Sequence, residues 1–536
     1  MSQPTQAQFG KWRSFFWPVH SFELKKLLPM LLLFFFINFN YTILRDTKDA
    51  LIVTAPGSGA EAIPFLKVWG VLPFAVLFMI VYSKLSNVLS KPKLFYTMIS
   101  SFIAFFAIFA WILYPNHDAL HPTAWADNLQ ATLPAGFSGM VAILRNWSYA
   151  LFYIMAELWG SVAISLLFWG FANDTTRVSE SKRFYAMFGL GANLAMLVSG
   201  PTIVYFSDIR SKLPVGVDAW GVSLNYMLGA VIVSALLIMG IYHWINKNVL
   251  TDARFFDPAE VKKAKKEKPK LSLKESFSYL FKSKYVLCLA VLVIAYGVSI
   301  QLVEVTWKGQ LKLQYPNPNE YSAFMGYFST ATGFVTILMM LFVGGNVIRK
   351  FGWGVGALIT PVVLLITGVG FFSFVIFRDS LTGFVAMLGS TPLMLAVIFG
   401  MAQNIMSKSA KYSLFDPTKE MAYIPLDQEI KVKGKAAIDV VGARFGKSGG
   451  AFINQGLIVA LGSLALITPY VAAILFLIIF AWIWAAKSLN KQFVKLTAEK
   501  EQHGNSTKET GAKEASVGSG NEEAAMKTAL QPGSSS

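Results

Sequence analysis

Four ionisable side chains, Lys48, Glu157, Glu304 and Lys447, stand inside stretches of sequence otherwise apolar enough to cross a bilayer. An ionised group at membrane depth is costly unless a partner, water or a ligand compensates it, so such residues face a cavity and act there. Two cations and two acids together predict a cavity that handles an ion or a polar solute.

Each of the four has polar company. In Leu44-Arg45-Asp46-Thr47-Lys48-Asp49, helical spacing puts Asn38, Tyr41, Arg45 and Lys48 on one face, with Asp49 in reach of Arg45. Either this helix end neutralises itself and snorkels to the interface, or Lys48 faces a cavity. Two basic groups competing for local acids favour the cavity. Tyr149 and Tyr153 flank Glu157, supplying stacking surface and hydroxyls, and Arg145 lies nearer the helix end. Glu304 and Lys308 close another apolar run, where the carboxylate is a gate residue or a snorkelling end. Arg444, Lys447, Ala451 and Asn454 share a face of the most polar span. The segment from Gly442 to Ser448 imitates a phosphate-binding P-loop, but it has three residues between its glycines rather than four and no strand before it. Asn193 follows Gly189-Leu190-Gly191, where the glycines predict close helix packing and the amide can donate and accept.

The elements that must position these groups are helices in a membrane. Of 536 residues, 54% are hydrophobic and 14% charged, against about a quarter charged in a soluble chain. A transmembrane β-barrel would read as short alternating segments. The sequence predicts an all-α membrane protein with twelve transmembrane helices, over residues 27–53, 63–82, 94–114, 141–171, 184–206, 226–244, 285–306, 322–343, 355–377, 383–405, 436–461 and 464–485. The basic segment 246–283, with Lys262, Lys263, Lys265 and Lys266, separates an N-terminal six-helix half (1–245) from a C-terminal one (284–487). That is a major-facilitator-like layout, which holds substrate at the midplane between halves. The tail 488–536 gains Gly, Ser, Glu and Lys and is predicted to be disordered.

Parallel repetition supports the halves. Arg183-Phe184, Gly189, Gly191-Ala192 and Asn193 are echoed by Arg444-Phe445, Gly449, Gly450-Ala451 and Asn454. The formal charge of +17 gathers in alternate loops, which predicts a cytoplasmic membrane with both termini inside, and a solvated linker near anionic lipid rather than nucleic-acid binding. The first 26 residues lack a signal-peptide layout, so the first apolar run is expected to be retained. Cys288 is the single cysteine and the five histidines are scattered, so no intrachain disulfide, metal site or cofactor is expected. With no G-x-S-x-G elbow, HExxH or complete GxGxxG, the chain reads as a transporter and not an enzyme.

The blocks Leu44-Arg-Asp-Thr-Lys-Asp-Ala-Leu51, Ala156-Glu-Leu-Trp-Gly160, Phe168-Trp-Gly-Phe-Ala-Asn173, Phe188-Gly-Leu-Gly-Ala-Asn193, Tyr423-Ile-Pro-Leu-Asp427 and Lys433-Gly-Lys-Ala-Ala-Ile-Asp-Val-Val441 resemble the nucleotide transporters of obligate intracellular bacteria and plastids. The similarity runs from about Phe22 to Lys491 and is strongest to the ATP/ADP translocases of chlamydia-related bacteria. It implies import of external ATP in exchange for internal ADP across a bacterial inner membrane, with phosphate as a candidate co-ion. It also implies functional roles for Lys48, Glu157, Glu304 and Lys447, and a base-reading role for Asn193. Charge-assisted bonds from Lys48 and Lys447, joined by Arg45 or Arg444, would clamp the phosphates, and Tyr149 or Tyr153 would stack on adenine. The two glutamates would pair with the cations when phosphate is absent, or gate the empty carrier. A second reading is a proton-coupled importer of nucleotides or other organic anions, with Glu157 or Glu304 carrying the proton.

Overall fold

A computed structural model describes residues 19–252, 255, 283–426, 434, 435, 438 and 442–528. Among them every regular element is helical. Ten helices are long and apolar enough to cross a membrane. The N-terminal half contributes α1 (Leu24–Thr54), α2 (Ala62–Val88), α3 (Lys91–Leu113), α4 (Trp147–Thr175), α5 (Val178–Ser207) and α6 (Ala219–Asn248). The C-terminal half contributes α7 (Lys284–Gln314), α8 (Pro318–Ile376), α9 (Pro392–Ala422), α10 (Ala443–Leu461) and α11 (Leu464–Thr528). The shorter α10 supplies an apolar stretch from Ser448 to Leu461.

Local sequence explains where these helices start and turn. Asn317 caps α8, accepting from the Asn319 and Glu320 amides, with Pro318 at the first helical position. Thr391 and Pro392 do the same for α9, and Asp218 accepts from the Gly221 amide to cap α6. Gly352, at φ 82° and ψ 175°, interrupts α8, a backbone conformation that side-chain-bearing residues rarely adopt. Turns of π-helix interrupt the spans at Leu66–Val71, Gly160–Phe168 and Lys411–Phe415. Such turns recur at functional sites because they re-aim side chains.

The lysine run of the linker lies outside the described residues. The last helix, α11, runs on to Thr528 through sequence whose composition predicts irregular chain; its Ala, Glu and Lys are good helix formers, and that local preference works against the Gly and Ser between them.

The two halves meet most intimately where α5 crosses α8. A Cβ on Gly200 would stand 2.6 Å from the Gly326 carbonyl oxygen, one on Gly326 would stand 2.8 Å from that of Gly200, and one on Gly333 would meet Asn193 O at 2.9 Å. Small residues thus let backbone rest on backbone. Within the C-terminal half, α7 and α10 approach similarly, a Cβ on Gly446 falling 3.1 Å from Gly297 Cα. Gly200→Val is expected to destabilise the protein by roughly 1–3 kcal/mol through overpacking. Gly229→Val, where a Cβ meets nothing within 4 Å, is expected to be neutral. Melting temperatures in detergent test this, and equal values for the two variants would exclude a close α5–α8 contact.

Cross-half contacts cluster at one end of the bundle. Lys312 donates to the Ser58 carbonyl. Arg210 pairs with Glu320 at 2.7 Å. Asn319 donates to Ser207 O at 3.1 Å and Ser223 Oγ at 2.7 Å, and Ser207 bonds Ser322 at 3.0 Å. A cleft of about 540 Å³ lined by Arg210, Tyr315, Asn319, Glu320 and Tyr327 opens along this seam. At the other end the ion pairs Lys26–Glu180 (2.7 Å), Arg183–Glu23 (2.6 Å) and Lys91–Asp174 (2.6 Å) stay within the N-terminal half, and Lys435–Glu420 stays within the C-terminal half.

Candidate functional site

The site grows from α1. Trp159 on α4 donates its indole N–H to Ile37 O at 3.1 Å, and Gly160 leaves room for Tyr41, whose ring would lie 2.7 Å from a Cβ there. These contacts press α4 onto α1 and bring Glu157 to Lys48. Lys48 Nζ then lies 3.1 Å from Glu157 Oε1, 2.9 Å from Asp49 Oδ1 and 3.9 Å from the centre of the Tyr153 ring.

From Asp49 the chain of charges crosses to the other half. Asp49 Oδ2 meets Lys308 Nζ at 2.7 Å, and Lys308 also holds Glu304 Oε1 at 3.0 Å, one turn back on α7. The second oxygen of Glu304 lies 3.8 Å from Lys67 Nζ, which donates to Gln301 Oε1 at 2.6 Å. Lys67 sits on the π-helical turn of α2. Reading along, Glu157, Lys48, Asp49, Lys308, Glu304 and Lys67 alternate in sign over α4, α1, α7 and α2. Asp49 and Lys308 are 1% exposed, while Glu157 (29%) and Glu304 (19%) keep an open side. Burying charges is repaid only when each has close partners, and here each does.

Arg45 and Asp46 form a separate unit. Arg45 Nε bonds Asp46 Oδ1 at 2.9 Å, and Ser329 of α8 accepts from Arg45 Nη2 at 2.7 Å while donating to Asp46 Oδ2 at 2.5 Å. Asp49, within reach of Arg45 by helical spacing, is held by two lysines, and Arg45 bonds its immediate neighbour Asp46.

Of the residues singled out from sequence, Lys48, Glu157, Glu304 and Tyr153 converge, with Arg45 beside them. Tyr149, one turn from Tyr153, packs instead among Tyr114, His117 and His121, the last ring edge-on at 4.8 Å. Burial holds the His121 imidazole below its usual pKa. Asn193 lies at the α5–α8 crossing, donating to Gly189 O at 2.8 Å. Arg444 and Lys447 lie on α10, and their side chains fall outside the described ones. Asp49, Lys67 and Lys308 complete the network. Lys308 was legible as the partner of Glu304 at i, i+4, and Lys67 was legible only as a lone cation in an apolar span.

A family model described as "TLC ATP/ADP transporter" matches residues 2–493. The chain belongs to the TLC ATP/ADP transporter family. The chain is 63% identical over 502 residues to "ADP,ATP carrier protein 1" of Chlamydia muridarum, covering 94% of this chain and 95% of that one. It is 58% identical over 478 residues to "ADP,ATP carrier protein 1, chloroplastic" of Arabidopsis thaliana, covering 89% and 75%. It is 46% identical over 494 residues to "ADP,ATP carrier protein 1" of Rickettsia bellii, covering 91% and 97%. Among solved structures, a D-xylose-proton symporter superposes with a TM-score of 0.52 at 13% identity, over 88% of this chain and 97% of the other. The partially occluded, inward-open xylose transporter XylE from E. coli gives 0.51 at 13% identity, over 88% and 99%. This TLC family member is therefore a multi-pass membrane protein, its regular elements helical among the described residues, on a fold shared with solved transporters.

Proposed function

We propose that the protein imports external ATP in exchange for internal ADP by alternating access, with the charged network as its cationic midplane site. The observation that carries this is the chain of buried ion pairs joining the halves through Asp49–Lys308 and Lys67–Glu304. Family membership and the relatives' names point to the same substrates. A nucleotide's phosphates compete for the lysines and free the carboxylates, so substrate exchanges one set of partners for another. An empty carrier keeps its cations on its own acids. Lys48 and Lys447 are the proposed phosphate ligands, with Arg45 or Arg444 beside them. Tyr153, its ring 3.9 Å from the Lys48 ammonium, or Tyr149 is the proposed stacking residue, and Asn193 the proposed base reader. Phosphate is retained as a proposed co-ion.

The same reading takes α8 as two spans divided at Gly352, and α10 as a span, which makes twelve in two six-helix halves. The basic loops then face the cytoplasm of a bacterial inner membrane with both termini inside. The end joined by Lys312–Ser58 and Arg210–Glu320 is external.

Vesicles reconstituted with the protein and loaded with ADP are expected to take up labelled ATP well above unloaded vesicles, without response to an uncoupler. Uptake that ignores internal ADP and collapses with the uncoupler would replace the exchanger with the proton-coupled importer.

A further inference from the structure

We propose that Arg45 and Lys408, one cation from each half, form a second anion subsite that holds the terminal phosphate of the nucleotide. The proposal rests on the nucleotide-exchange reading above and adds to it a place where triphosphate and diphosphate are told apart.

Lys408 projects from α9 with its ammonium 4.7 Å from the centre of the Phe328 ring. The next residue of α8, Ser329, accepts from Arg45 Nη2 at 2.7 Å. Side chains of adjacent α8 residues thus hold the two cations, one reached from α1 and the other from α9. Arg45 is the nearby charge that acts most strongly on Lys408, with Glu304, Lys308 and Asp46 next.

What separates this pair from the rest of the network is its charge balance. Lys48, Lys308 and Lys67 each have a carboxylate partner, and three carboxylates serve the three of them. Lys408 pairs with no carboxylate among the described residues. Arg45 spends Nε and Nη2 on Asp46 and Ser329, and its Nη1 makes neither bond. An anion arriving at Lys48 must displace an acid. An anion arriving between Arg45 and Lys408 meets two cations and one acid, Asp46, which is bonded by Arg45. A guanidinium edge and an ammonium offer phosphate oxygens charge-assisted donors from two directions.

The separation suits a polyphosphate. Arg45 precedes Lys48 and Asp49 by about one helical turn, close to 5 Å along α1. A nucleotide with its inner phosphates at Lys48 and Lys308 would extend its last phosphate to Arg45 and Lys408. ADP would leave that subsite less filled.

The test uses full-length protein in ADP-loaded vesicles. In Lys408→Gln the ATP concentration for half-maximal uptake is expected to rise about tenfold, as one lost charge-assisted contact implies. The value for ADP uptake should change clearly less, and Lys408→Arg should restore most of the preference. Equal weakening for ATP and ADP, or an unchanged ATP value, overturns the subsite while wild-type exchange stands. Wild-type vesicles that exchange no ATP overturn the exchange reading and the subsite together. A second measurement needs no variant: inorganic tripolyphosphate is expected to raise the melting temperature of the unmodified protein more than pyrophosphate at equal concentration. Equal shifts count against the subsite.

Discussion

Replacing Lys308 with Met is expected to abolish nucleotide exchange and to destabilise the protein by on the order of 3–5 kcal/mol, the cost of stripping one partner from a buried ion pair. Lys308 is the single cation between Asp49 and Glu304, at 2.7 and 3.0 Å. Without it, Asp49 keeps Lys48 and Glu304 keeps Lys67 at 3.8 Å, and an excess negative charge stays in the buried network proposed to receive a polyanion. The double variant Asp49→Asn with Lys308→Met restores the balance of charge, so most of the stability should return. Exchange should not return, because the Asp49–Lys308 pair between the halves is gone and so is a lysine proposed to meet phosphate. Melting curves and ATP uptake from the same preparations separate the two effects. A Lys308→Met protein with wild-type melting and uptake would remove the network from the mechanism.

The second large effect is expected at Lys48. Lys48→Gln loses two ion pairs, to Asp49 and Glu157, and the contact with the Tyr153 ring. As a phosphate ligand making two charge-assisted contacts worth about 1.5 kcal/mol each, Lys48 is expected to carry a roughly 100-fold share of the ratio of maximal uptake to half-saturating ATP. Glu157→Gln should act in the opposite sense on affinity. It frees Lys48 for phosphate, so half-saturating ATP falls, while turnover slows because the emptied site lacks an acid to reclaim the lysine. Measuring both parameters in both variants distinguishes a competing acid from a bystander. If Glu157→Gln weakens ATP as Lys48→Gln does, the competition between carboxylate and phosphate is wrong.

The parts of this site that were legible in the sequence share one property: each interrupts a strongly apolar run. Lys48, Glu157 and Glu304 announce themselves because nothing around them explains a charge, and Tyr153 follows from Glu157 by one helical turn. Lys67 hides at the start of a span, where a lone lysine is ordinarily an interfacial anchor; only the fold reveals Glu304 and Gln301 opposite it. Lys408 hides for another reason. Asn404, Ser407, Lys408 and Ser409 dilute the hydropathy enough that the tenth span seems to end at residue 405. Yet α9 continues to Ala422, with Asn404, Ser407 and Ser409 buried inside the bundle rather than facing lipid. Hydropathy measures composition, and it cannot see that a polar stripe is turned inward. The partner choice of Arg45 was equally out of reach, since it depends on Ser329 arriving from the other half.

The glycine contact between α5 and α8 carries a mechanical consequence. Side chains that interlock must be lifted out of one another before two helices can tilt. At Gly200 and Gly326 main-chain atoms of the facing helix come within 3.1 Å of where a Cβ would stand, alongside the Thr330 and Val204 side chains, and at Gly333 the Met196 and Leu197 side chains join Asn193 O. Gly326 and Gly333 lie two turns apart, so this strip of close approach runs about 10 Å along α8. It acts as a spacer: main-chain contact, with Thr330 and Val204 beside it, sets how closely the two helices approach, and a larger side chain at any of the three glycines would push them apart.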